Sequence, residues 1–347
     1  MALSVAIALT SALLFGASTP LSKLLLDQVS PFQLAGLLYL GAALGVGPFA
    51  AQQRVFHRLV RLDRANARRL IGAALLGGMA GPVLLLLGLQ LASAASVSLW
   101  LNLELVATAV LGAALFRDQL SGRAWAGAGT VVVAALLLSW GGQSAGILPG
   151  LLVALACVCW GFDNHFTSLI DGLTPQETTL WKGLAAGTTN LFIGLWVSSW
   201  TATPLAATAA LGLGAISYGA SIVLYIAAAQ NIGATRGQLV FSAAPFFGVL
   251  LSVALLGEPF GTIQLVATAI LVVGLFMLLQ EGHTHRHSHP ALVHEHWHRH
   301  NDGHHLHNHP KLPAWIGHVH PHRHEALEHE HPHLPDVHHR HTHDNAQ

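Results

Sequence analysis

Residues 147–170 read ILPGLLVALACVCWGFDNHFTSLI, an apolar run long enough to cross a bilayer, with Trp160-Gly161-Phe162-Asp163-Asn164-His165 set inside it. An ionised side chain in hydrocarbon costs about 3 kcal/mol on insertion scales, so Asp163 marks a candidate functional position whose partner lies elsewhere in the chain. Working outward, nine more apolar segments of similar length appear, at roughly 3–26, 32–51, 70–91, 93–116, 123–140, 178–199, 205–228, 234–256 and 260–280. Short joins separate them, several marked by Gly or Pro (Gly141-Gly142, Pro149, Pro175, Pro204, Pro259). The expected fold is an all-α integral membrane protein of ten transmembrane helices followed by a polar tail.

Composition agrees. Asp, Glu, Lys and Arg make up 9% of the 347 residues, against roughly 25% in soluble domains. Residues 1–281 hold 11 Lys+Arg and 9 Asp+Glu, whereas residues 282–347 hold 23 of the 25 histidines. The start, Met1-Ala-Leu-Ser-Val, lacks a positive region and its apolar run continues past Leu21, so it reads as a first membrane helix rather than a cleaved signal. Cys157 and Cys159 sit two apart on one helix, face different ways and read as small buried hydrophobes.

Orientation follows from the basic loops. Arg54, Arg58, Arg61, Arg64, Arg68 and Arg69 fall between segments 2 and 3, Arg117 and Arg123 between 4 and 5, and Arg236 between 8 and 9. The alternate loops carry no Lys or Arg, which predicts a multi-pass inner (plasma) membrane protein with both termini cytoplasmic.

The chain also repeats itself. A shift of 140 places Gln90 on Gln230, Ala94 on Ala234 and Asp118 on Glu258. A looser match sets Phe15-Gly16 on Trp160-Gly161, Pro31 on Pro175, and Gly41/Gly45 on Gly183/Gly187. Five spans per copy, an odd number, predict that the second copy enters the membrane inverted, as in secondary transporters with a site between the repeats. The expected divisions are 1–141, 146–281 and the tail 282–347.

Two five-helix copies that each close on an acidic residue (Leu115-Phe116-Arg117-Asp118 and Leu255-Leu256-Gly257-Glu258) resemble the EamA-type transporters of the drug/metabolite transporter superfamily. Leu99-Trp100-Leu101-Asn102-Leu103-Glu104 and Cys159-Trp160-Gly161 add to the likeness. The resemblance implies ten helices, a central cavity between the halves, cytoplasmic termini, and export or exchange of small metabolites. One departure stands out: the family pattern puts Pro after the Glu of the fourth helix, and copy two keeps Pro245 where copy one has Leu105.

The candidate substrate and coupling residues follow from depth and spacing. Glu104 lies about ten residues from each end of segment 4, and Ser93, Trp100 and Thr108 fall at helical spacings that put them on its face. Asp163, with Trp160 and Thr167 on its face, lies toward the cytoplasmic end of segment 6, and Lys182 lies at a matching depth in segment 7, which predicts an Asp163–Lys182 pair as gate or structural clasp. His165 points away from Asp163, and Lys23 is expected to snorkel to the interface. The GxxxG pairs Gly41/Gly45 and Gly183/Gly187 predict close helix packing, with a homodimer face as the other reading, and Pro20, Pro82 and Pro245 predict kinks.

The tail alternates histidine with other residues: His283, His285, His287, His289; His294, His296, His298, His300; His329, His331, His333; His338, His339, His341, His343. Six prolines and few apolar residues predict disorder, and imidazoles on one side of an extended chain suit zinc, nickel, cobalt or copper. No cofactor is required by this reading, and an enzyme or a nucleic-acid binder is not expected. The leading expectation is a secondary transporter of a small metabolite or drug-like solute. The alternatives are a divalent transition-metal transporter and a membrane-tethered metal buffer or sensor.

Overall fold

The structure, a computed structural model, describes residues 2–51, 62–115, 121–140, 146–232, 234–279, 283–289, 292–298, 318–324 and 327–333. Arg54, Arg58, Arg61, the Phe116–Asp118 end of the first repeat, and His300, His338, His339, His341 and His343 lie outside the described residues.

Helix α1 (Ala2–Gly16) and α2 (Ser18–Leu25) make the first segment and α3 (Pro31–Ala51) the second. The third joins α4 (Arg64–Gly72), a π-helical stretch (Ala73–Ala80) and α5 (Gly81–Leu91). The fourth is α6 (Ala94–Trp100) and α7 (Leu103–Leu115), and the fifth is α8 (Gly122–Trp140). The second half begins with α9 (Ile147–Ser168) and α10 (Pro175–Val197). It continues with α11 (Pro204–Leu213), a π-helical stretch (Gly214–Ala220) and α12 (Ser221–Ile232), then α13 (Ala234–Phe241) with α14 (Ala244–Leu256), and ends with α15 (Thr262–Leu279). Among the described residues, eight helices are long and apolar enough to cross a membrane. The remaining two of the expected ten positions are helical but differ in kind. Helix α10 has the length but carries Glu177, Lys182 and Asn190, and the apolar stretch of α15, Thr262–Met277, is shorter.

Local sequence sets the helix starts. Thr174 and Glu177 form a reciprocal capping box ahead of Pro175, with Thr174 N–H donating to Glu177 Oε2 at 2.7 Å. Ser93 caps α6 through Ser96 N–H, and Thr203 caps α11 through Ala206 N–H. Gly257, at φ 64°, supplies the left-handed residue that ends α14.

The halves correspond in detail. Their third segments both hold a π-helical stretch, at 73–80 and 214–220, and their fourth segments both break, at Leu101-Asn102 and at Ser242-Ala243. Packing partners exchange in the same way. The second segments pack on each other (α3 on α10), as do the fifth (α8 on α15). The contact of α1 with α12 mirrors that of α9 with α5. The GxxxG glycines are spent inside the molecule: a Cβ at Gly187 would sit 2.7 Å from the Leu40 amide nitrogen, and Gly183 faces the Tyr39 carbonyl. Large apolar side chains such as Phe49, Phe192, Leu205 and Phe276 point outward, which suits hydrocarbon rather than water. Trp140 and Trp196 sit exposed at helix ends and Trp200 in the loop after α10, where indoles favour the membrane interface.

The fourth segment of copy one breaks although Leu105 stands where copy two has Pro245, and at the break the Leu99 carbonyl accepts from both the backbone N–H of Asn102 and its Nδ2, the latter at 3.1 Å. Lys23 Nζ donates to the Leu89 carbonyl at 2.6 Å and the Ala92 carbonyl at 3.0 Å, closing the end of α5.

The tail departs from the expected disorder over four short strands: β1 (His283–His289), β2 (Leu292–His298), β3 (His318–His324) and β4 (Leu327–His333). β1 pairs antiparallel with β4 and β2 with β3, in registers that set His285 opposite His331 and His296 opposite His320. A residue type recurring at every second position has the strand period, which the compositional expectation of disorder left out.

Candidate functional site

The break at Leu101-Asn102 shapes the site. Glu104 N–H bonds to the Leu101 carbonyl and Leu105 N–H to that of Asn102, three residues back rather than four. The tighter turn changes the helix phase and puts Glu104 in the first turn of α7, where the helix dipole favours a carboxylate. The expected stripe of Ser93, Trp100, Glu104 and Thr108 is therefore split. The Trp100 indole, fully buried, donates to the Ala135 carbonyl of α8 at 3.1 Å and does not line the cavity. Ser93 remains at the helix start as a cap.

Helix α9 supplies Trp160, Asp163, Asn164 and Thr167 at three- and four-residue spacings, hence on one face. Asn164 is the junction. Its Nδ2 lies 2.9 Å from Glu104 Oε1, 3.1 Å from Thr108 Oγ1 and 3.2 Å from Gln238 Oε1, so one amide joins residues of both halves. Lys182 of α10 donates to Asp163 Oδ2 at 2.6 Å, the pair expected from sequence, and both side chains are almost fully buried. The Gly77 carbonyl, in the π-helical stretch, accepts from the Tyr39 hydroxyl at 2.7 Å and the Trp160 indole at 3.0 Å. His165 points away, its ring Nε2–H donating to the Thr108 carbonyl at 2.9 Å.

Glu104, Trp160, Asp163 and Lys182 come together on one cavity with an empty volume of about 460 Å³, open solvent at its mouth included. Asp163 and Lys182 thus share a chamber with Glu104 instead of standing apart at a cytoplasmic gate. Phe15, Tyr39, Tyr218, Tyr225 and Phe241 also line it, with Gln238 between them. A second chamber, of about 310 Å³ with open solvent likewise included, reaches Thr19, Ser98 and Gly248. Phe15, Glu104, Gln238 and Phe241 touch both chambers and form the septum between them.

Beyond the second chamber the two halves are clasped. The Glu258 carboxylate, which follows α14, accepts from the backbone N–H groups of Ala94 and Ala95 at 2.8 Å each, at the start of α6. The 140-residue shift that aligns Asp118 with Glu258 also aligns Ala94 with Ala234, so the sequence marked the clasp without showing what it holds.

Sequence reasoning missed Asn164, Gln238 and the tyrosines. One signal was available: the chain has three tyrosines, and all three line this cavity. Among the described residues no group of three or more His, Cys, Asp or Glu is placed to hold a metal ion.

A multi-pass helical bundle of two like halves around a cavity with charged and aromatic walls has the architecture of a membrane transport protein. The chain belongs to the EamA-like transporter family, whose model matches residues 2–140 and again 148–280. It is 27% identical over 295 residues to an "Uncharacterized transporter" of Methanothermobacter thermautotrophicus, covering 79% of this chain and 85% of that protein. A solved crystal structure, described only as that of a protein, shares the fold at a TM-score of 0.58 and 20% identity, over 80% of this chain and 96% of its own.

Proposed function

We propose that this protein is a secondary transporter that exports or exchanges a small organic solute by alternating access, the two halves closing in turn on either side of Glu104. The observation that carries the reading is the septum: a buried carboxylate in the first turn of a broken helix, between two chambers, bonded across the halves through Asn164. A carboxylate held there by a neutral amide is suited to exchange a proton against solute. Thr108 and Gln238 share the Asn164 amide with it, and Asp163, Lys182, Tyr39 and Tyr225 lie around the cavity. The Glu258 clasp supports a state closed at the chamber's far side, outward by the arginine bias, with both termini in the cytoplasm of a cell whose inner membrane holds the protein. The tail is proposed to bind divalent metal through its alternating histidines. A metal-transport pathway through the spans lacks a ligand cluster among the described residues to support it.

Reconstituted protein with an imposed pH gradient tests the transport reading. Wild type is expected to drive at least one solute of a labelled metabolite panel against its gradient, and Glu104→Gln to lose the response to pH. Unchanged pH-driven movement in the variant removes Glu104 from coupling, and no driven solute in wild type refutes the reading.

A further inference from the structure

The charges and rings of the central cavity carry a statement about substrate class, resting on the transport reading above. Three cavity-lining side chains are acidic or basic in the ordinary pH range: Glu104, Asp163 and Lys182. The last two neutralise each other at 2.6 Å, which leaves Lys182 committed and Glu104 facing a neutral amide, Asn164. A buried carboxylate with no cation hydrogen-bonded to it among the described residues is costly and is satisfied by a proton or by a cation brought to it.

Around that carboxylate the aromatic side chains form a continuous arc. Ring centroids lie 5.4 Å apart for Tyr39–Tyr218, 5.4 Å for Tyr218–Phe15, 5.2 Å for Phe15–Phe241 and 5.1 Å for Phe241–Tyr225. Trp160 joins the arc at 6.4 Å from Phe15. Six of the fourteen lining residues are therefore aromatic, whereas 7% of the chain is, so the enrichment belongs to this cavity and not to the protein. Aromatic faces attract alkylated ammonium groups, most strongly when water is excluded. The Tyr225 hydroxyl and Asp163 Oδ1 are buried without a hydrogen-bond partner and remain able to meet a polar group on the ligand. An anion would find one cation, already paired, and a carboxylate opposing it.

We infer that the cavity between the halves binds a small organic monocation, an amine or quaternary ammonium, held by the Glu104 carboxylate and the aromatic arc of Phe15, Tyr39, Trp160, Tyr218, Tyr225 and Phe241. The same proton-binding carboxylate then serves cation and proton in turn, which makes the two mutually exclusive occupants of one site.

Equilibrium binding to the full-length protein in nanodiscs tests this with three probes of one shape class: benzyltrimethylammonium, benzyl alcohol and benzenesulfonate. The cation is expected to bind at least tenfold more tightly than either other probe, and Glu104→Gln to erase that preference. Trp160→Leu, which leaves the charge in place, is expected to weaken the cation at least threefold while sparing the weak neutral binding. Equal or tighter binding of the neutral or anionic probe, or no measurable binding of the cation, overturns the inference, and the wild-type series alone decides it if a variant fails to fold. A neutral or anionic preference in a protein that still drives solutes across liposomes sinks the substrate class and leaves transport standing. A cation preference in a protein that drives none sinks transport and leaves the site.

Discussion

Replacing Lys182 by Met removes one member of a buried ion pair and leaves the other. At 2.6 Å, in an effective dielectric of about 20, the pair's attraction is about 6 kcal/mol, and several kcal/mol per ion were spent taking both out of water. The net worth of the pair is therefore small, but the single variant keeps the desolvation of Asp163, 6% exposed, and loses the attraction that offset it. The Lys182→Met protein is expected to lose about 3–5 kcal/mol of stability, and Asp163→Asn a comparable amount by stranding the ammonium. The double variant, Asp163→Asn with Lys182→Met, is expected to return to within about 2 kcal/mol of wild type, giving a coupling energy of roughly 3 kcal/mol or more. Reversible unfolding in mixed micelles, followed by helical circular dichroism, measures all four corners of the cycle. Two single variants as stable as wild type, or a double variant as unstable as the sum of the singles, refutes the assignment of the pair as a mutually dependent buried clasp.

The other expectations are more local. Glu258→Gln weakens two charge-assisted bonds to Ala94 and Ala95, worth about 1–2 kcal/mol as a cap, and is expected to raise the labelling rate of a cysteine placed at Ser98 from the far side several-fold; an unchanged rate removes Glu258 from the closure. Gly187→Leu is expected to separate α3 from α10, because even a Cβ there meets the Leu40 backbone, and to abolish folded monomer on size-exclusion chromatography. Gly77→Ala directs a methyl group at the Asp163 carboxylate and is expected to destabilise the protein by about 1–3 kcal/mol in the same micelle assay. Deleting residues 282–347 is expected to leave solute movement intact and to remove nickel binding measured by equilibrium dialysis. In the full chain that binding is expected at pH 7.5 and lost below about pH 6, because a protonated imidazole has no lone pair for metal.

The helices were legible because apolar length is a one-dimensional property: each segment either has about twenty apolar residues or does not. The Asp163–Lys182 pair was legible for a related reason, since a short loop between two helices fixes which depths face each other. The break at Leu101-Asn102 was not. Copy one lacks the proline that would signal it, and an asparagine bonding back to its own helix leaves no distinctive pattern. Missing the break carried a second error with it, because a regular helix through Trp100 and Glu104 puts both on one face, whereas the tightened turn sends Trp100 toward α8.

Sequence alone determined that this chain is a two-copy bundle for a membrane and that Asp163 has Lys182 for company. These follow from counting residues along single helices and comparing the two halves. Tertiary structure alone decided that the two carboxylates share one cavity, that Asn164 links Glu104 to Gln238, and that six rings from distant segments line the space. Such groupings come from how helices rotate and cross, set by many weak contacts summed over the bundle, and no stretch of the chain records that sum.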